Sequence, residues 1–583
     1  MPPMSMTALI HDAAGSQWLS LGEPRTCLTT QRLEEVLPLL QRAESEVERG
    51  AYLAGFLSYE AAPAFDAALA AHPPGEFPLL WLGVFDAAQV QRLPDLPPLP
   101  GAYRLGEWQA TVSEAEYAEA ITRIKAEIAA GRTYQVNYTY RLRAPFSGEP
   151  GALFAQLAEA QRAAYSAFVD TGRFVLCSAS PELFFERTGR SVRTKPMKGT
   201  AARGRTLAED EAQARWLHHD PKNRAENVMI VDMLRNDLGR VAETGSVRVP
   251  ALFETERYPT VWQMTSTVTA ETRASLAQLL AALFPCASVT GAPKRSTMQI
   301  IRALEATPRR AYCGAIGFVL PGGRAQFNVA IRTVLIDRTL GQAEYGVGSG
   351  VVWDSVAADE WAECQVKSRV LRAKLPAFAL LESLRWEPAT SYFLLDRHLR
   401  RLRDSAVYFG FALDEAAICA RLEALARTLP PVPHKVRLLV EREGGLHVEA
   451  APLPEAEVQP VRLALAPAPV ASSDAFLFHK TTHRRVYDES RAARPEADDV
   501  VLWNERSEIT ETCLANLAVK LEGKWWTPPV EAGLLPGVYR AELLATGRLR
   551  ERVLRTGDLQ RAEALAVLNS VRLWRPAVLM GDS

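Results

Sequence analysis

The chain has 583 residues, 48% hydrophobic and 23% charged, ordinary globular usage that excludes a disordered, collagen-like or acidic-tail protein. Lys and Arg total 67 against 68 Asp and Glu, and a net charge of −1 gives no basic footprint for nucleic acid or an anionic membrane. At roughly 100–200 residues per domain, the length implies more than one domain.

The N-terminus, MPPMSMTALIHDAAGS, lacks a basic segment leading into an apolar one, and no apolar run approaches the ~18 residues that cross a bilayer. A cytoplasmic protein with no membrane partner is expected. The cysteines, at 27, 177, 286, 313, 364, 419 and 513, have neither CxxC nor metal-ligand spacing, so they should be reduced and mostly buried.

In chain order, LPDLPPLPG (93–101) reads as a loop. TVSEAEYAEAITRIKAEIAA (111–130) opens with a capping box at Ser113 and Glu116 and sets Tyr117, Ile121, Ile124 and Ile128 on one face, predicting a helix that stops at Gly131. RFVLCSASPELFFER (173–187), AIGFVL (315–320) and FNVAIRTVLI (327–336) read as strands, and KNRAENVMIVDMLRNDL (222–238) as a helix. The first part is therefore α+β. The pattern restarts near Pro376 with a strand-like ALLESLRW (379–386), a basic helix RHLRRLRDSAVYFGF (397–411) and strands KVRLLVERE and HVEAAPL. This predicts domains over 1–375 and 376–583, the second divided into two lobes by the Pro/Ala-rich stretch 451–470.

Three features of the first domain point to chemistry. Glu360 and Glu363 stand i,i+3 in DEWAECQVKSRVLRAK and share a helical face with Lys367, so two carboxylates could converge on one cation, although spacing alone favours a solvated acidic face. Glu226 lies in an otherwise apolar helix, where a buried charge needs a partner or metal and an exposed one needs neither. Lys198, in KPMKGT, sits in a tight loop that either presents its amine to a pocket or leaves it in solvent.

These segments resemble the chorismate-utilising enzymes, especially aminodeoxychorismate synthase component I. The resemblance is carried in order by YQVNYTYRL (134–142), SASPELFF (178–185), KPMKGTAARG (195–204), RAENVMIVDMLRNDLGRV (224–241), SVTGAPK (288–294), IRT (331–333), GSGVVWDS (348–355) and DEWAECQVKS (359–368). It implies an anthranilate synthase component I-like fold acting on chorismate. By resemblance Glu226 and Glu363, with Glu360 nearby, bind Mg2+, which grips the ring carboxylate. Arg332, the backbone of Gly348, Ser349 and Gly350, the Thr290–Gly291 turn and Lys367 then hold the rest of the substrate. Lys198 matches the nucleophile that adds to C2 of chorismate, where anthranilate synthases have a small residue; Glu182 matches the general acid that helps hydroxide leave C4. Ammonia would then attack C4. Two departures stand out: VWQMTS places Gln263 where relatives have a His, and Asn223 stands where they have an acid, one carboxylate fewer for the metal.

Residues 379–575 resemble the class IV aminotransferase and aminodeoxychorismate lyase group, fold type IV pyridoxal phosphate (PLP) enzymes of two α/β lobes. The matching pieces are LLESLRW (380–386), RHLRRLRDSA (397–406), FHKTTHRRVYD (478–488), SEITETCLANLAV (507–519), LLPGVYRAELL (534–544) and LNSVRLWRPAVL (568–579). By resemblance Lys480 attaches PLP and moves the proton, and Glu511 pairs with the pyridinium nitrogen. Arg401, the turn at Val538 and Tyr539, and Ser570 take the phosphate. The domain is short for this group, so an edge supplied by the first domain or by a homodimer partner is expected. No motif separates lyase from transaminase; fusion to the first domain points to the lyase and to 4-aminobenzoate, a folate precursor. The alternative is an anthranilate or isochorismate synthase with a degenerate tail, against which Lys198 argues. No Gly-x-Cys-x-Gly glutaminase motif occurs, so a separate glutamine amidotransferase subunit is expected to supply ammonia.

Overall fold

The computed structural model describes residues 6–371, 376–454 and 459–581. Residue 375, where the sequence places the end of the first domain, and residues 455–458 of the Pro-rich stretch lie outside the described residues. The chain forms two compact units, Met1–Ala202 with Ala214–Leu375, and Arg203–Gln213 with Pro376–Ser583.

In the first unit, two sheets, of eleven and ten strands among the described residues, are antiparallel throughout and pack face to face. Ile10 and Leu19 of one sheet meet Phe56, Trp81 and Phe318 of the other in a buried layer; full burial of such side chains contributes about 1.5–3 kcal/mol each. Helices Leu33–Glu48, Pro221–Gly239 and Leu276–Leu283 cover one outer face through Val36, Ile230 and Leu279. Helices Glu114–Ala129, Pro150–Gln161 and Ala357–Ser368 cover the other through Ile121, Leu153 and Cys364. The helix over 114–129 has the expected cap: Ser113 Oγ accepts the Glu116 N–H and the Glu116 carboxylate accepts the Ser113 N–H, an arrangement worth about 1 kcal/mol.

Three elements differ from the sequence reading, and each difference positions a candidate residue. The run 173–187 is two strands, Phe174–Ser180 and Leu183–Thr188, broken where Ser180 Oγ donates to the Val329 carbonyl and Glu182 leaves the ladder. The run 327–336 is likewise two strands, Ala325–Val329 and Thr333–Asp337, with Arg332 at φ +50° between them; a non-glycine residue there is uncommon and is held by its surroundings, here the Ala179 N–H on its carbonyl. Lys198 lies not in a loop but in an edge strand, Met197–Ala202, whose register against Val261–Glu271 shifts between Met197 and Thr200. Such a bulge re-aims a side chain.

The second unit has two lobes. A four-stranded antiparallel sheet carries helices Leu395–Phe409 and Glu415–Ala426 over Leu384, Val436 and Leu438. An eight-stranded mixed sheet has Val461–Leu465 parallel to both its neighbours, Asp499–Trp503 and Leu573–Leu579. All seven cysteines are free and five are buried. No helix among the described residues is long and apolar enough to cross a membrane.

Candidate active sites

The first unit holds a cavity of about 580 Å³ where the ends of its two sheets meet helices Pro221–Gly239 and Ala357–Ser368. Lys198, Glu182, Arg332, Glu226, Glu360, Glu363, Lys367, Gly348 and Gly350 all line it. Gly350 pairs with Asn137 across adjacent strands. A Cβ at Gly350 would lie 2.6 Å from Lys198 Nζ and would also strike the Gln135 amide, so this glycine leaves room for the amine.

Glu182 is 2% exposed, and Ser288 Oγ donates to its Oε1 at 2.6 Å. Burial pushes its carboxyl up to about 7, against the lowering influence of Ser288, Lys198 and Arg332. A carboxyl so placed carries a proton near neutrality. Arg332 is also desolvated, which lowers its pKa, and its Nη1 is buried without a hydrogen-bond partner. An uncompensated guanidinium donor costs stability and is a ready receptor for a carboxylate.

The three carboxylates reach the cavity from two helices. Burial raises the pKa of Glu226; Lys198 and Lys222 oppose the rise, and Glu360 and Glu363 add to it. Glu360 accepts a hydrogen bond from Ser355 at 2.7 Å. Although burial disfavours both charges, the 2.6 Å pair Glu363–Lys367 holds the acid below and the amine above their ordinary values. Among the described residues no three His, Cys, Asp or Glu form a ready metal cage. Glu226, Glu360 and Glu363 nevertheless line one cavity, and hard oxygen donors of this kind suit an ion whose shell is completed by substrate and water.

Three expected contacts do not line the cavity. Thr290 Oγ1 donates to the Cys286 carbonyl at 2.8 Å and Gly291, at φ +130°, packs on the Gln135 carbonyl, so they build a turn whose preceding residues, Ser288 and Val289, face the cavity. Ser349 pairs instead with Tyr117 at 2.9 Å, as alternation along a strand requires. Sequence reasoning missed Ser288, Lys222 and Asn137. Asn137 and Gln135 share a strand face two residues apart in YQVN, a signal that was there to read. Gln263 and Asn223 line the cavity too, Asn223 held by Asp220 at 2.8 Å.

The second unit holds a cavity of about 430 Å³ lined by Lys480, Glu511, Arg401, Val538 and Ser570. Glu511 is 4% exposed; Tyr487 Oη donates to one oxygen at 2.9 Å, with the Leu535 N–H, and Asn516 Nδ2 to the other at 3.1 Å. Burial nevertheless lifts its carboxyl to about 7, so a cation against it would be stabilising. Burial and then Arg401 bring Lys480 down to about 8, giving an amine that titrates near neutrality. Gly537 caps helix Val538–Ala545, and a Cβ there would strike Asn516 Oδ1. The helix N-terminus, Ser570 and Arg401 border the same cavity, a set that suits a phosphate dianion. Arg401 is held by two hydrogen bonds to buried Glu382, at 2.9 and 2.6 Å, which also pairs with His398; Arg401 and His398 pull the Glu382 carboxyl down to about 2 despite burial. Tyr539 does not line the cavity; its ring packs on Phe393. Sequence reasoning missed Tyr487, Asn516 and Arg484, although all but Asn516 lie within a few residues of Lys480. Among the described residues, and counting Lys435, Arg437 and Arg572, six basic side chains line this cavity against one acid, Glu511, a balance that favours anionic ligands.

Residues 8–373 match the chorismate binding enzyme family and residues 379–579 the class IV amino-transferase family. Aminodeoxychorismate synthase component 1 of Klebsiella aerogenes is 43% identical over 258 residues, 44% of this chain and 57% of that protein. Anthranilate synthase component 1 of Streptomyces coelicolor is 40% identical over 269 residues, 45% of this chain and 52% of that one. The chain thus spans a little over half the length of these curated relatives. Among solved structures, anthranilate synthase component I from Streptococcus pneumoniae superposes with a TM-score of 0.52 over 64% of this chain and 93% of its own, at 22% identity, a likeness of fold. The chain belongs to the chorismate binding enzymes and carries a class IV amino-transferase domain behind that part.

Proposed function

We propose that the chain is a bifunctional enzyme that aminates chorismate at C4 with ammonia and then eliminates pyruvate to give 4-aminobenzoate. The observation that carries the reading is Lys198 Nζ against Gly350 in one cavity with protonatable Glu182 and Arg332, whose Nη1 has no hydrogen-bond partner. Arg332 takes one carboxylate of the dianionic substrate. Glu226 and Glu363, with Glu360, would hold Mg2+, which would supply the charge that the ring carboxylate needs beside them. Glu182 gives its proton to the departing hydroxide at C4 as the Lys198 amine bonds to C2; ammonia then bonds to C4, the C2–N bond breaks, and water is the by-product. Gln263 cannot act as acid or base, which leaves the enolpyruvyl ether intact for the second site.

In the second unit, Lys480, Glu511, Arg401, Ser570 and the helix N-terminus at Val538 would hold PLP, which supplies an electron sink when bound. Glu511 would pair with the pyridine nitrogen and favour its protonated form. Lys480 takes the C4 proton of the aminated ring, the bond between ring C3 and the ether oxygen breaks as the ring aromatises, and the enolpyruvate that leaves takes up a proton to become pyruvate. The basic lining suits a substrate with two carboxylates. One incubation with chorismate, ammonium, Mg2+ and PLP should release 4-aminobenzoate and pyruvate in equal amounts; anthranilate as the product would refute the reading.

Two further outcomes are expected. Excess EDTA should stop amination, and Glu363→Gln should raise the Mg2+ concentration needed for half-maximal rate by at least roughly 10-fold, a loss that even an outer partner of a metal ligand causes; full turnover in EDTA would contradict the metal assignment. Ammonium salts should serve the chain by itself, whereas glutamine should serve only with a separate amidotransferase subunit, because no Gly-x-Cys-x-Gly motif occurs. Glutamine-dependent product from the purified chain would show a glutaminase site within it.

A further inference from the structure

Arg309 is 2% exposed and lies behind the first cavity. Its Nη1 donates to the Val289 carbonyl at 2.8 Å and its Nη2 to the Asn137 carbonyl at 2.7 Å, and both of those residues line the cavity. Nε and Nη2 also bond Glu305, at 3.0 and 2.6 Å, and the Glu305 carboxylate accepts Thr139 and Arg141. The guanidinium stacks 4.5 Å from the Tyr59 ring, and Glu60 accepts the Arg309 N–H. A buried cation is thus paired and its fork aimed at two walls of the cavity.

Val289 ends the turn Ala287–Val289, a single 3-10 turn of three residues that carries Ser288 to Glu182. The turn is closed by the Val289 N–H on the Cys286 carbonyl at 3.3 Å, the Thr290 N–H on the Ala287 carbonyl at 3.2 Å and the Thr290 hydroxyl on the Cys286 carbonyl, and the Asn137 N–H donates to the Thr290 carbonyl at 2.9 Å; the Val289 carbonyl is held by Arg309. We infer that Arg309 is a positioning residue for the amination: it ties the turn that presents Ser288 to the strand that carries Asn137, and so sets the Ser288–Glu182 hydrogen bond without touching substrate. This inference rests on the reading of Glu182 as the acid.

The groups that face Glu182 are Ser288 and Cys286 beside the turn, Lys198 and the Met197 N–H on the edge strand, and Arg332. The Ser288 bond favours the carboxylate, so loosening it raises the proton affinity of Glu182. An acid that acts protonated loses rate as pH rises through its pKa, and that limb should therefore move to higher pH.

Arg309→Lys offers a point charge that cannot reach both carbonyls and keep Glu305. In the full chain, with ammonium as donor, its kcat should fall about tenfold, a part of what a positioned acid contributes. KM for chorismate should change by less than about threefold. The high-pH limb should move upward, as in Ser288→Ala, and the double variant should move it no further than Ser288→Ala does. A limb that stays at the wild-type position in folded Arg309→Lys overturns the inference. If that variant does not fold, Glu305→Gln decides: it loosens the same fork and should move the limb in the same direction, and an unmoved limb again overturns the inference. Glu182→Gln separates the two failures. Wild-type activity in that variant removes the acid itself, whereas loss of the limb in Glu182→Gln with no shift in Arg309→Lys removes only the role of Arg309.

Discussion

Lys198→Ala should make no aminated product, although the variant should still bind chorismate. Of the lysines that line the first cavity among the described residues, Lys198 is the one set against Gly350 and acting on Glu182, and Arg332 with the carboxylate wall remains to hold the dianion. Glu182→Gln should be less extreme, a loss on the order of 10²–10⁴-fold, because it removes proton transfer and leaves the nucleophile. Binding is followed by equilibrium titration and amination by product analysis. Undiminished amination in Lys198→Ala would remove the reason for separating this chain from the anthranilate synthases that it also resembles.

Lys480→Ala should lose the visible absorption of bound PLP, release neither pyruvate nor 4-aminobenzoate, and accumulate the aminated intermediate. Aromatisation needs the C4 proton removed, and of the two lysines that line this cavity among the described residues Lys480 is the one acted on by Glu511 and Arg401. The first reaction should be unaffected, since its residues form a separate cavity in the first unit. A separately added lyase should restore 4-aminobenzoate. Wild-type release of 4-aminobenzoate by the variant would mean that the C-terminal domain is not the lyase.

Local features were legible where local physics decides them. The helix Glu114–Ala129 follows from a capping box and an apolar spacing of three and four. Glu363 and Lys367 meet because a helix brings i and i+4 together. The breaks at Glu182 and Arg332 were not legible, because β-rich composition runs straight through both. What interrupts the strands is long-range: Ser180 on the Val329 carbonyl, and Ala179 on the carbonyl of Arg332. The motif SVTGAPK pointed to Thr290 and Gly291 as contacts, yet the turn faces the cavity with Ser288 and Val289, since the Thr290 hydroxyl is used within the turn. Arg309 meets Glu305 beyond the end of helix Lys294–Leu304, and its fork reaches Asn137 through the packing of the sheet, so no local pattern encodes either contact. The same holds for Tyr487 and Asn516 around Glu511.

The central claim is amination at C4. It is tested most directly by giving Lys480→Ala chorismate, Mg2+ and nitrogen-labelled ammonium, and locating the label in the accumulated product by NMR. The nitrogen should appear on C4, with the enolpyruvyl ether still attached. Nitrogen on C2, or pyruvate released without the second site, would contradict it.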